Sequence, residues 1–195
     1  GHGLNATPDF IIFKSRDVAD NWAIYHSSMG LAYGEFTNTL FSTSNVQNRW
    51  SSLPTSSVIH LGSDTNINTK NHLIYAWTAV EGYSAFGSFS GNGTSDNVFV
   101  YTGFRPKFVL AKYSSSAGDW MLLDTSRRPN GPTGGSLVAN VANAEDSYYT
   151  SSQVGFDFLS NGFKIRHHGS PMGDSGRTVI YAAFAEHPFK TARAY

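Results

Sequence analysis

Short apolar runs separated by stretches of Gly, Pro, Asn, Asp, Ser and Thr set the rhythm of this chain. Phe10-Ile11-Ile12-Phe13 is β-branched and aromatic and is expected as a strand buried on nearly both faces. Trp22-Ala23-Ile24-Tyr25-His26 follows after the polar connection Asp17–Asn21, which suits a hairpin turn. Leu31 to Ser57 has the weakest period and is expected as strand fragments joined by long loops. Val58–Leu61 and His72–Trp77 are expected strands, linked by the Asn- and Asp-rich Gly62–Asn71 as a hairpin loop. Tyr83–Gly93, with Phe86 and Phe89 among spaced glycines, predicts a bent or bulged strand ending in a tight turn. Val98–Tyr101, Phe108–Lys112, Trp120–Asp124, Phe163–Arg166 and Val179–Phe184 complete the series. Arg127–Gly135 carries too many turn residues to be helical.

The pattern restarts midway. Gly3-Leu4, Pro8, Phe10-Ile11-Ile12 and Lys14 return as Gly103-Phe104, Pro106, Phe108-Val109-Leu110 and Lys112, and a Trp stands eight residues after each Lys, at Trp22 and Trp120. Later strands match in order, and Glu81 and Glu186 follow the last strand of each set. Self-similarity of this kind predicts one domain over residues 1–195, built from two pseudo-repeats at about 1–95 and 98–190. No window sustains an apolar period of 3.6, so little helix is expected. The expected fold is all-β: an antiparallel β-sandwich, jelly-roll-like or barrel-like, with Trp22, Trp77 and Trp120 in its core. A strand precedes the second copy but not the first, so a preceding segment or a neighbouring subunit is expected to pair with the first strand.

Composition narrows the function. Charged residues make up 14% of the chain, with 14 basic and 14 acidic side chains and zero net charge, against about 25% charged in ordinary domains. An overall basic nucleic-acid binder is excluded, and no nucleic-acid partner is expected. There is no cysteine, hence no disulfide framework or thiolate metal site. No apolar run approaches the ~18–20 residues of a membrane-spanning helix, so membrane insertion is not expected. The opening Gly1-His2-Gly3-Leu4 lacks an initiator Met and suggests part of a longer polypeptide. An uncharged polar surface with 14% aromatics suits an extracellular or virion domain.

Motifs that suggest chemistry have plainer readings. Gly173-Asp174-Ser175-Gly176 resembles the nucleophile string of trypsin-like proteases, but it falls between two strands as turn residues and lacks that family's histidine signature and cysteines. Asp64–Asn68 resembles half a calcium loop without its sixth-position Gly or its final Glu. His167 and His168, neighbours at a strand end, are expected on opposite faces. His26, His60 and His72 are expected as surface or hydrogen-bonded residues. No catalytic residue, metal site or cofactor is expected. A carboxylate pair for glycan cleavage has no sequence signature in a β protein. Contact is a better prospect than catalysis. Trp50, Tyr148 and Tyr149 lie in polar loop sequence, where exposed rings would stack on sugars; the alternative is that they fold back on the sandwich or enter a subunit interface. Arg127 and Arg128 would pair an acidic sugar or a neighbouring carboxylate.

Pro8-Asp9-Phe10-Ile11-Ile12 after Gly1-His2-Gly3-Leu4, Tyr25-His26, Ser90–Gly93, Tyr101–Pro106, Leu159–Lys164 and Ala183–Glu186 with Pro188-Phe189-Lys190 together resemble a duplicated β domain of bacteriophage tail-fibre and virion structural proteins, of the marine phage type. The resemblance spans Gly1 to about Lys190, and its motifs are turn, strand-start and core residues. It implies a tail or tail-fibre module of the virion, extracellular after release. Such a module is assembled as a homo-oligomer, a trimer favoured, and meets a bacterial cell-surface glycan or other virion proteins. A purely structural or assembly domain of the tail is the first alternative, and a glycan-cleaving depolymerase or esterase the second.

Overall fold

A computed structural model describes the chain except for residues 33, 38, 42–48, 64–69, 128–136, 146–154, 170 and 188–195. The fold is all-β; among the described residues every strand pairs antiparallel, and three sheets are stacked. A four-stranded sheet runs β3-β2-β1-β4, made of β1 (Phe10–Ser15), β2 (Ala23–His26), β3 (Gly34–Glu35) and β4 (His72–Trp77). A five-stranded sheet runs β5-β12-β7-β8-β9, made of β5 (Ser84–Ser90), β7 (Pro106–Tyr113), β8 (Met121–Asp124), β9 (Leu137–Val138) and β12 (Thr178–Ala185). A three-stranded sheet runs β10-β11-β6, made of β6 (Phe99–Tyr101), β10 (Phe156–Leu159) and β11 (Gly162–Ile165).

The five-stranded sheet is central because both its faces are apolar, as a strand covered on both sides requires. Phe108, Leu110, Ile180 and Ala182 face the four-stranded sheet, where they meet Phe10, Ile12, Ile24 and Trp77. Val109, Ala111, Val179 and Tyr181 face the three-stranded sheet and meet Phe156, Phe163 and Ile165. The outer face of the four-stranded sheet carries Ile11, Phe13, Ala23 and Tyr25, and the segment holding Trp50, Ile59 and Leu61 covers it. Successive residues of β1 and β7 therefore serve different layers, as the two-residue period of a strand dictates.

Strand order and register match between the two larger sheets. Phe10 pairs with His26 and Phe13 with Ala23, and Phe108 pairs with Asp124 and Ala111 with Met121, each member 98 positions after its counterpart. On the other flank Trp77 and Ile74 of β4 stand opposite Phe10 and Phe13, and Phe184 and Tyr181 of β12 stand opposite Phe108 and Ala111. The two lysines follow the same plan. The Lys14 amine donates to the Asp20 carbonyl and the Lys112 amine to the Gly118 carbonyl, so each ties down the loop after its strand. Lys112 is wholly buried. Burial lowers its amine to about 8, a shift that the nearby Asp119 carboxylate partly offsets.

Several expectations need correction. β1 is paired on both flanks, by β2 and β4, so it needs no strand from elsewhere. Val58–Leu61 forms no strand; only Leu61 makes a bridge, to Trp50, and β4 pairs with β1 rather than with this run. β5 keeps one continuous register with β12 from Ser84 to Ser90 and has no bulge. His167 and His168 lie beyond the end of β11, and their rings stack at 4.8 Å instead of facing apart.

Candidate binding cleft

Trp120 and Trp22 precede β8 and β2 at matched positions, yet their surroundings differ. Trp120 is 1% exposed. Its indole N–H donates to the Glu35 carbonyl at 2.8 Å, and its ring packs on Phe36 at 4.9 Å, Phe41 at 6.2 Å and Phe10 at 6.4 Å. The segment after β3 thus roofs Trp120. The segment after β9, Ala139-Asn140-Val141-Ala142, holds the matched place over Trp22 and offers small side chains instead of two Phe rings. Trp22 is 39% exposed, and its indole N–H has no hydrogen bond among the described residues. The expectation that it lies in the core is overturned, because burial of that ring depends on what the other half of the chain lays across it.

The result is an open cleft of about 620 Å³ at the mouth of the layer between the two larger sheets, lined by Ile12, Trp22, Phe36, Tyr75 and the residues Ala139–Ala142. Ile12 and Tyr75 are register partners on β1 and β4, so their side chains share the face that looks into the cleft. The Tyr75 ring stacks on Trp77 at 6.0 Å with planes inclined 22°, which fixes its tilt while leaving it 45% exposed. Asn140 is held rigidly: its side-chain oxygen accepts the Trp120 backbone N–H, and its amide donates to Asp119 at 2.8 Å. Behind the cleft, Arg49 ties the β1–β2 loop to β3 through Asp20 at 2.8 Å and Glu35 at 3.0 Å. Asn21, beside Trp22, donates to the other oxygen of Glu35 at 2.9 Å. Pre-set apolar walls with a few polar edges are the usual make-up of a small-ligand site.

Two of the residues expected to make contacts, Trp50 and Arg127, do not line this cleft. Trp50 is 1% exposed. Its ring meets Phe13 at 6.5 Å and Tyr25 at 6.0 Å edge-on, so it is a core residue of the outer layer and cannot stack on a ligand. Arg127 spends its guanidinium on the Asp124 carboxylate at 2.6 Å, the Leu122 carbonyl at 2.9 Å and Glu145 at 3.4 Å; the neighbouring carboxylates win over an acidic sugar. Tyr148, Tyr149 and Arg128 lie outside the described residues, as does Asp64–Asn68.

The Gly173–Gly176 string is a clasp. Gly93 N–H donates to the Gly173 carbonyl and Gly176 N–H to the Gly91 carbonyl, and a Cβ on Gly91 would fall 2.4 Å from the Asp174 carbonyl oxygen. Glycine is needed there for close approach of two backbones. Asp174 pairs with Arg177 at 3.4 Å, and no histidine contact to Ser175 is seen among the described residues. No group of three or more His, Asp or Glu suited to a metal occurs among the described residues. His26 is 1% exposed; its Nε2–H donates to the Tyr181 carbonyl at 3.0 Å, while Nδ1 accepts the Ser28 N–H. Burial pushes its pKa below the ordinary histidine value, with the Tyr181 carbonyl and Asp9 opposing that shift.

A family model described as "Domain of unknown function (DUF7483)" matches residues 1–188, and the chain belongs to that family. No curated protein and no solved structure matches the chain.

Proposed function

We propose that this DUF7483 member is a non-enzymatic β module of a phage tail or tail fibre that binds a bacterial cell-surface glycan, with the Trp22–Tyr75 cleft as the sugar site. The observation that carries this reading is the exposed Trp22 ring lining an open, mostly apolar cleft. A pyranose presents a face of C–H bonds that packs on an aromatic ring, while its edge hydroxyls need polar partners. Trp22 supplies the ring and an indole N–H with no partner among the described residues, and Tyr75, Asn140 and the rest of Ala139–Ala142 line the same cleft. The tail assignment is supported by the resemblance of the turn and strand-start motifs, and the duplication by the matched registers of the two larger sheets. In this reading the matched strands are scaffold and the binding chemistry sits where the two halves differ.

The test is equilibrium binding of purified chain to isolated surface polysaccharides and to whole cells. A glycan-binding module retains a polysaccharide, and Trp22→Ala weakens retention by about tenfold or more while the fold survives, since one central aromatic commonly carries that much of a small interface. A spacer domain binds neither cells nor polysaccharide. A depolymerase releases reducing ends during the incubation. Either of the last two outcomes sinks the proposal.

A further inference from the structure

A second groove, about 660 Å³, runs along the edge of β4 that has no paired strand among the described residues, and is lined by Gly1, His2, Ile59, Leu61, Ile74 and Trp77, among others. Its counterpart in the other half is occupied. Register matches Ile74 to Tyr181, Ala76 to Ala183 and Trp77 to Phe184, and the bridge Trp50–Leu61 takes the place of the pair Phe156–Ile165. Two residues earlier on the same segments, Ile59 stands for Phe163. In that second half β5 pairs with the outer edge of β12 from Ser84 to Ser90, and Phe89 fills the space between Phe163, at 6.0 Å, and Tyr181, at 6.4 Å. Among the described residues, the groove beside β4 is the same slot without its strand.

The edge is ready to receive one. Arg16 and Asp9 N–H groups donate to the carbonyls of Asn71 and Trp77, so alternate positions of β4 face β1, and His72, Ile74 and Ala76 turn their N–H and C=O groups outward. The same alternation on β12 puts Val179, Tyr181 and Ala183 towards β5. Native edges are commonly guarded by Pro, charge or a bulge. His72-Leu73-Ile74-Tyr75-Ala76-Trp77 has no Pro and no Asp, Glu, Lys or Arg, it pairs with β1 in unbroken register, and Leu73, Ile74 and Tyr75 are exposed.

We propose that this groove accepts an extended strand from another polypeptide chain, antiparallel to β4, in the manner of β-strand addition. The occupant has the chemistry of β5: an uncharged segment of small residues with two aromatics three positions apart. One aromatic faces Tyr75 and the inter-sheet layer, as Phe86 does, and the other drops towards Ile59, as Phe89 does. One difference widens the choice. β5 needs Gly87 because a Cβ there would sit 2.9 Å from the Tyr181 hydroxyl; Ile74 stands in place of Tyr181, so the incoming strand can carry a side chain at that position.

The probe is a synthetic peptide with the sequence of β5, Ser-Ala-Phe-Gly-Ser-Phe-Ser, titrated into the intact chain. Saturable 1:1 binding is expected, with Tm raised by about 5–10 °C at a hundredfold excess over Kd and slowed amide exchange at Ile74 and Ala76. A peptide with Ala in place of Gly binds at least as well, one with both Phe replaced by Ser does not bind, and Ile74→Lys on the half-exposed edge abolishes binding while leaving the fold intact. The proposal is overturned by absence of binding at millimolar peptide, or by protection that appears at Val179–Ala183 through displacement of β5. It is equally overturned if the chain self-associates through β4 without peptide and Ile74→Lys returns it to monomer.

Discussion

Trp120 and Trp22 stand at matched places in two sheets of matched register, and one is core while the other is surface. The difference lies across the layer. Phe36 and Phe41 cover Trp120, and the Glu35 carbonyl takes its N–H; Ala139, Asn140 and Val141 leave Trp22 open. A buried Trp gains contact area and must also satisfy its N–H, and only Trp120 does both. Paired halves can thus hold one copy of a residue for stability while the other is free for recognition.

The largest test of this contrast is removal of each ring. Trp120→Ala is expected to lower unfolding free energy by about 3–5 kcal/mol, the usual range for a large aromatic taken from a core, with the Glu35 carbonyl losing its donor. Trp22→Ala should stay within about 0.5 kcal/mol, as exposed positions do. Urea unfolding monitored by far-UV circular dichroism measures both, and equal losses would erase the distinction between the two sites.

A second matched pair separates by pH. His26 and Asp124 occupy corresponding places in β2 and β8, and both have folded-state pKa values below their ordinary ones, for different reasons. His26 is depressed chiefly by burial. Burial alone would push Asp124 up, but its bonds with Arg127, side chain and backbone, outweigh that and hold it below the usual carboxylate range. For a group with a depressed folded pKa, the unfolded chain binds the proton first as pH falls, so stability is lost with acidification. The His26 contribution is full above about pH 6.5 and declines as pH falls from there; that of Asp124 persists until pH drops below about 3.8. Each contributes a slope of at most about 1.4 kcal/mol per pH unit. His26→Gln, which does not titrate, should flatten the unfolding free energy between pH 6.5 and 5 while leaving the more acidic limb. An unchanged upper limb would mean that another group drives it.

Much of the scaffold was legible in the chain. Phe10–Phe13, His72–Trp77, Phe108–Lys112 and Val179–Phe184 are apolar runs bounded by turn residues, and all are strands; their offsets also expose the matched registers. β3 and β9 have two residues each, too short for any period to show. Val58–Leu61 has strand composition but pairs only through Leu61, since composition does not supply a neighbour. Trp50 looks like a surface residue because Arg49, Ser51 and Ser52 flank it, yet it turns inward beneath the segment that caps Phe13 and Tyr25. Trp22 fails in the opposite sense. Its local sequence resembles that of Trp120, and its exposure is decided by Ala139–Ala142, more than a hundred residues away. The candidate cleft was therefore hidden in a long-range difference, and the one available signal was the contrast between Phe36 with Phe41 and Ala139 with Val141.

That contrast predicts how to close the cleft. Val141→Phe puts a ring on the segment that lines the cleft with Trp22, an aromatic cover of the kind that Phe36 and Phe41 give Trp120. Added apolar contact at a half-open site should raise stability by about 1 kcal/mol, a modest gain because the Trp22 N–H acquires no carbonyl partner. The same change should shield Trp22 from acrylamide, read as the quenching lost between this variant and its Trp22→Phe double, and should remove polysaccharide binding along with the space a sugar would fill. Stability gained with binding intact would place the ligand outside the cleft. Stability lost through overpacking would mean that Ala139–Ala142 cannot move to admit a ring, and that the opening over Trp22 is held by the rigid Asn140 bonds to Trp120 and Asp119 rather than by side-chain size alone.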